Sequence, residues 1–297
     1  MATLKDVKLK IKAVKKTQQI TKAMNMVAAS KLRGAQTSME GFRPYAGKFS
    51  EVLSSLAEKA GEETNPLLEV REEVRKVHLV LCTSDRGLCG GFNTNLISRA
   101  DLFIKEKRKQ NIDVSITNFG RKGRDWSRRS KFEILDQHIG VVGGRFGFNI
   151  AASVGKKLIE GFLKKTFDEV YIVFAEFKSM ARQTPVLSQM LPILPIASAQ
   201  DTSAGEEIPY LAEHICEPSP QEVLGELLPR NVYVQIYRAL LETSTSEHAA
   251  RMAAMDNATK ACKDMIENLT LTYNKARQAA ITAELMDIVG GAEALRG

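Results

Sequence analysis

The sequence predicts an α/β protein of two parts: a long antiparallel coiled coil made by the N- and C-terminal helices, and a doubly wound, mostly parallel α/β globular domain between them. Three observations carry this. Arg230 to Val289 contains neither Gly nor Pro, and Met1 to Arg33 lacks both as well. Each of these stretches repeats apolar residues at alternating steps of three and four, the seam of a left-handed coiled coil. Between them, short β-rich runs alternate with amphipathic helical runs, the pattern of a parallel sheet covered on both faces.

The C-terminal seam runs Met252, Met255, Thr259, Cys262, Ile266, Leu269, Tyr273, Ala276, Ala280, Ala283. Large residues come first and only Ala at the end. Pro229 suits the first turn of this helix and Gly290-Gly291 its stop. Sixty helical residues would extend about 90 Å, against a diameter of roughly 50 Å for a compact chain of this length. Such a helix needs a partner. The competing reading is two core helices joined at Thr243-Ser244-Thr245-Ser246, where helix propensity is weakest.

At the other end, Leu4, Val7, Ile11, Val14, Gln18, Thr21, Asn25, Ala28 and Leu32 form a second seam. Its polar members cost stability and can fix register. Ile20, Met24 and Val27 make a neighbouring apolar stripe. Helical spacing continues through Phe42, Tyr45, Phe49, Val52, Leu53 and Leu56, so this helix is expected to reach residue 58, bent or loosened near Pro44. Pairing the two ends within one chain is favoured over homodimeric coiled coils, which would place basic N-terminal helices side by side. The domain division is 1–58, 70–195, a loop at 196–220, and 221–297.

In the middle, strands are expected at 76–83, 112–119, 132–139, 170–177 and 186–194, with helices at 92–110, 120–129 and 148–165. Nothing resembles an uninterrupted apolar membrane span, and the charged opening residues give no signal-peptide core. Cys82, Cys89, Cys216 and Cys262 form no Cys-x-x-Cys pair and read as reduced thiols. His78, Cys82 and Cys89 lack a fourth zinc ligand, so neither a metal nor a cofactor is expected.

The net charge of +7 sits in one place. Residues 1–33 hold Lys5, Lys8, Lys10, Lys12, Lys15, Lys16, Lys22, Lys31 and Arg33 against Asp6 alone, +8, which leaves −1 for the remainder. That segment calls for an acidic surface opposite it.

Local motifs give no catalytic site. Thr83 to Asn93 follows a strand and opens a helix, where doubly wound folds bind phosphates. Yet it is not Gly-x-Gly-x-x-Gly, and neither Gly47-Lys48 nor Gly155-Lys156 continues as a Walker loop. The alternative is a tight strand-to-helix turn. Arg121, Lys122, Arg124, Arg128, Arg129 and Lys131 surround Trp126, either as a nucleic-acid patch or, preferably, as a solvated helix face. His78, His138, His214 and His248 are scattered over unrelated elements.

Three stretches, from Ile20 to Lys31, from Asp85 to Asn93 and from Asn274 to Ala292, together resemble the gamma subunit of rotary ATP synthases. Ile20-Thr21-Lys22-Ala23-Met24-Asn25-Met26-Val27-Ala28-Ala29-Ser30-Lys31 is similar to that family's N-terminal helix. Asn274 to Leu285, running into Ile288-Val289-Gly290-Gly291-Ala292, is similar to its C-terminal helix. Asp85-Arg86-Gly87-Leu88-Cys89-Gly90-Gly91-Phe92-Asn93 resembles its globular-domain signature. They occur in the right order over nearly the whole length. The resemblance implies a non-catalytic central shaft inside three alpha and three beta subunits, coupling ion flow to the beta sites and regulating ATPase activity and proton flow. It also implies contacts with the epsilon subunit and the membrane c-subunit ring, without nucleic acid and without membrane insertion. Met24, Arg277, Gln278 and Thr282 match positions that face beta subunits. Asp85, Arg86, Gly87, Cys89, Gly90 and Gly91 belong to the signature, expected near the shaft's base. With neither the chloroplast insertion nor a transit peptide expected, the resemblance points to a bacterial member, peripheral on the cytoplasmic face of the inner membrane. Two rivals remain: a nucleotide-dependent enzyme and a nucleic-acid-binding coiled-coil protein.

Overall fold

The computed structural model describes residues 4–59, 65–71, 73–193 and 219–294. The elements are α1 (Leu4–Lys59), β1 (Lys76–Cys82), α2 (Phe92–Lys109), β2 (Asp113–Phe119), α3 (Arg121–Arg129), β3 (Glu133–His138), α4 (Phe148–Leu163), β4 (Glu169–Phe177), β5 (Gln183–Leu191) and α5 (Pro220–Ala294). By compactness the chain forms two units, Ser30–Ala250 and a second made of Met1–Ala29 with Arg251–Gly297. This cut passes through both long helices, whereas the sequence division followed element ends. Most of the loop expected at 196–220, and Cys216 and His214 with it, lies outside the described residues.

In the larger unit the sheet has the order β3-β2-β1-β4-β5. The first four strands are parallel and β5 joins β4 antiparallel. β1 is central and buried on both faces, as its apolar run requires. Its alternate residues feed two cores. Val77, Leu79 and Leu81 pack with Phe92, Leu96, Ala100, Phe103 and Ile104 of α2. Val80 and Cys82 face a core built by α4, the start of α5 and the end of α1, with Leu158, Phe162, Leu228, Val232, Leu53 and Leu56. Gly155 permits the close approach of α4 and α5: a Cβ there would lie 2.3 Å from the Tyr233 ring.

His78 sits in the second core, 0% exposed. Its ring is within 2.8 Å of Ser115 Oγ and 2.9 Å of Thr117 Oγ1, and stacks on Phe167. Burial lowers its pKa to about 3, so the imidazole is neutral. It fills a core position rather than serving as a ligand. Beneath the sheet Arg71 is tied to Asp168 and to the carbonyl of Phe162, and its guanidinium stacks 4.5 Å from the Phe162 ring. Burial pushes the Asp168 carboxyl up. Hydrogen bonds from the Lys76 and Arg75 amides and from Arg71 more than offset this, and its pKa lies below the usual carboxylate value.

α5 is the continuous helix that the seam favours over two joined helices, and it overrides the local signals at Pro229 and Gly290-Gly291. It begins nine residues before Pro229, runs through Thr243-Ser244-Thr245-Ser246, and passes Gly290-Gly291 to reach Ala294. Proline in a helix clashes with the carbonyl four residues back. Here that residue is Gly225, with no side chain to add crowding, and the flanking Leu228 and Val232 are fully buried, so packing outweighs local preference. In α1, likewise, helix continues through Pro44, which faces solvent.

The second unit is a pair of antiparallel helical segments. Asn25 Nδ2 donates to the Met252 carbonyl at 2.9 Å, and the Thr259 hydroxyl lies 2.8 Å from that of Thr21. As numbers rise on α1 they fall on α5. The less exposed positions follow both predicted seams from Val7 to Ala28 and from Met252 to Ala280. Ala283 is exposed and does not belong to the seam. The register explains why: continued to Leu4, it ends near Ala276. Ile20 and Val27, the neighbouring apolar stripe, are exposed.

Candidate functional site

The carboxyl ends of the parallel strands are where a doubly wound sheet ordinarily receives a ligand. Residues 83–93 lie there, and their polar groups bind one another. The Thr83 hydroxyl donates to the Phe119 carbonyl at 3.0 Å and accepts from the Gly123 amide at 2.8 Å. Ser84 and Asn93 bond mutually, with Asn93 Nδ2 also 3.2 Å from Cys89 Sγ. The Asp85 carboxylate accepts from the amides of Arg121, at 2.9 Å, and Gly140, at 2.8 Å. It thereby ties the turns after β1, β2 and β3 together. Gly120, at φ 92°, could not carry a side chain, because a Cβ would fall 2.1 Å from the Thr83 carbonyl.

The signature residues are therefore divided. Asp85 clasps neighbouring loops, Cys89 is buried, and Arg86 and Gly90 are exposed. Gly90, at φ 58°, supplies a left-handed turn, with Leu88 also left-handed beside it. Gly91 caps the start of α2, and Gly87 is half-buried beside Lys122. The turn packs strands rather than cradling a phosphate, the plainer of the two readings.

The crevice at β4 is filled by α5. Thr243 Oγ1 accepts from the Ala175 amide at 3.3 Å, Glu242 from the Phe177 amide at 3.3 Å, and Ser246 donates to the Ala175 carbonyl at 3.2 Å. Every residue from Leu241 to Ala249 is buried. This was the feature missed by reading the sequence. A run of small hydroxyl residues inside an otherwise apolar helix signals a helix that must satisfy the end of a sheet.

No group of three or more His, Cys, Asp or Glu side chains suited to a metal occurs among the described residues. Cys82, Cys89 and Cys262 are in no disulfide, and burial pushes the Cys82 thiol pKa up. In the basic cluster Trp126 packs half-buried on Phe132, with ring centres 5.1 Å apart, beside a largely solvated helix.

On the paired helices Met24 is half-buried, and Arg277, Gln278 and Thr282 are exposed. Thr282 donates to the Gln278 carbonyl at 2.9 Å. These residues are not gathered into one cluster. All nine basic side chains of the first 33 residues are exposed. Past Ala280, the last position of the seam, α5 continues with no described residue of α1 opposite: Ile281, Leu285, Met286, Ile288 and Val289 are 48–68% exposed.

These features define a class: coiled-coil proteins with a doubly wound domain whose switch-point crevice is closed by their own helix. The family described as ATP synthase matches residues 3–295. The ATP synthase gamma chain of Desulfosudis oleivorans is 65% identical over 298 residues, covering 100% of both chains. That of Desulforapulum autotrophicum is 61% identical, covering 99% of this chain and 100% of the other. The chain belongs to the ATP synthase gamma chain family. The rotor chain of the Euglena gracilis mitochondrial ATP synthase shares the fold at a TM-score of 0.66 and 20% identity, covering 94% of this chain and 98% of that one. A chain of the Tetrahymena thermophila central stalk and c-ring does so at 0.59 and 24%, covering 80% and 99%.

Proposed function

We infer that this chain is the non-catalytic rotary shaft of an ATP synthase. The paired helices turn inside a ring of three alpha and three beta subunits, and the sheet domain meets the epsilon subunit and the membrane c-ring. Ion flow through the rotor turns the shaft, and the shaft drives the three beta sites through their conformations in turn. The same contacts let it restrain ATP hydrolysis and proton flow.

One observation carries this reading. The last turns of α5 expose Ile281, Leu285, Met286, Ile288 and Val289 on a helix with no described α1 residue opposite. Apolar side chains around an unpaired helix need a surrounding surface. A narrow apolar collar formed by a ring of subunits supplies one. Below it, an exposed basic segment meets acidic loops. Charge contacts there are screened and remade as the shaft turns, where interlocked packing would hold it fast.

The mechanism needs asymmetry. Three identical beta sites share one conformational equilibrium unless something touches them differently, and a ligand shifts an equilibrium only through differential contact. A two-helix shaft has no threefold symmetry, so each orientation favours a different site. Arg277, Gln278, Thr282 and Met24 are proposed as beta-facing contacts, with Asp85 to Gly91 at the base. No helix of the described residues is long and apolar enough to cross a membrane. The chain attaches peripherally, and its relatives' bacterial sources support the cytoplasmic face of the inner membrane.

The test is reconstitution with alpha and beta subunits. The full chain should co-purify at one copy per three and three and change the ATP hydrolysis rate. A chain ending at Ala280 should assemble weakly or turn over slowly. Hexamers that hydrolyse ATP identically with and without the chain, and never retain it, would falsify the reading.

A further inference from the structure

A cavity of about 750 Å³ lies within the larger unit, bounded by α1, by the turn between β3 and α4, and by α5. Three features of its wall are chemically specific. Lys31 of α1 and Arg145 of the turn bring two cations from separate elements. Ser244 of α5, 4% exposed, lines it, and its hydroxyl bonds to no described residue. Phe146 and Tyr237 supply aromatic surface.

The setting also fits a ligand. The turn after β3 is at the carboxyl end of a parallel strand, the side on which such sheets take their ligands. α5 fills the crevice at β4, and this cavity lies beside it, lined by Leu241 and Ser244 of α5 and by the turn after β3. On the α1 side its wall is low, because Gly34 occupies it and a Cβ there would meet nothing within 4 Å. The Glu247 carboxylate packs against Gly143 and lies 3.1 Å from His248 Nδ1. His248 lines the cavity and Glu247 does not.

We propose that this cavity binds a nucleoside phosphate, with Lys31, Arg145 and the Ser244 hydroxyl on the phosphate and the aromatic wall against the base. Two cations and a free hydroxyl suit a phosphate oxyanion. The volume exceeds what a bare phosphate needs and falls in the range of sites for cofactor-sized molecules. The proposal is independent of the shaft reading. A chain that never met alpha or beta subunits would still carry the cavity.

The test is equilibrium binding to the purified full chain, using ADP, pyrophosphate, inorganic phosphate and adenosine as probes. ADP should bind saturably with a dissociation constant below about 1 mM and tightest of the four. At a hundredfold excess over that constant it should raise Tm by about 5 °C. Arg145→Ala should weaken ADP at least about tenfold, the loss of one charged hydrogen bond. Gly34→Met should abolish binding by filling the space, and it favours helix, so it guards against a misfolded Arg145→Ala. Arg128→Ala, on α3, should leave binding unchanged. The proposal is overturned if ADP does not saturate, if adenosine or inorganic phosphate binds as tightly as ADP, or if Gly34→Met binds ADP normally.

Discussion

The two units bury their residues to different depths. In the sheet unit, Val77, Leu79, Val80 and Leu81 are all 0% exposed, and two cores flank one strand. In the helical pair, Met255, Val7, Thr21 and Ala28 are buried, while most other seam residues are only partly covered. A two-helix seam has one contact face per helix, whereas a central strand has two neighbours and two covering layers. The sheet unit draws its stability from packing within itself. The pair keeps most of its surface for something else to touch.

Substitutions measured by denaturant unfolding sharpen this contrast. The largest loss should come from Phe162→Ala, which empties a site 1% exposed in the α4 core, at about 3–5 kcal/mol. Asp168→Asn should cost about 2–3 kcal/mol, because it leaves Arg71 partly buried without its counter-charge. The Asp168 pKa is depressed in the folded state, so its contribution is present above the ordinary carboxylate pKa and disappears as pH falls through the lower folded value.

His78 gives a pH signature belonging to the sheet unit alone. Its folded pKa of about 3 lies below the ordinary 6.5. Between those values the unfolded chain binds the proton and the folded chain does not. Stability therefore falls with acidification across that window, by up to about 1.4 kcal/mol per pH unit. His78→Gln should flatten that slope, and an unchanged slope would count against the buried neutral imidazole. In the pair, Leu269→Ala should cost only about 1–2 kcal/mol, because the residue is half-covered. Asn25→Ala should cost about 1 kcal/mol or less. A loss at Leu269 matching that at Phe162 would break the comparison.

Much of this organisation was legible. The step of three and four marked both seams, and β-rich runs separated by helical ones marked the parallel sheet. Those patterns are short-range and survive without tertiary information. The far end of α5 was not legible, because Gly290-Gly291 carries a strong local stop signal that helix continuity overrides, while at the near end the start signal of Pro229 stood against the division at 221. Nor was the buried Thr243 to Ser246 run. Weak helix propensity there made a break the competing reading, and what buries the run is the exposed end of β4, brought there from about seventy residues away. The strand-end turn was legible as a turn. The clasp made by Asp85 depended on Arg121 and Gly140, and only the fold brings those together. Met24, Arg277, Gln278 and Thr282 came from family resemblance, and a single chain offers no geometry that would have singled them out.

Two polar bonds of the helical pair, Asn25 with Met252 and Thr21 with Thr259, lie within a turn or two of each other. From there toward Leu4 the α1 seam residues Val14, Ile11, Val7 and Leu4 are apolar. Separation of the strands of this zip should start at the Leu4 end and stall at Thr21. Amide hydrogens near Ile11 and Ile266 would then exchange with solvent sooner than those near Asn25 and Met255, grading the segment from loose to fixed along its length.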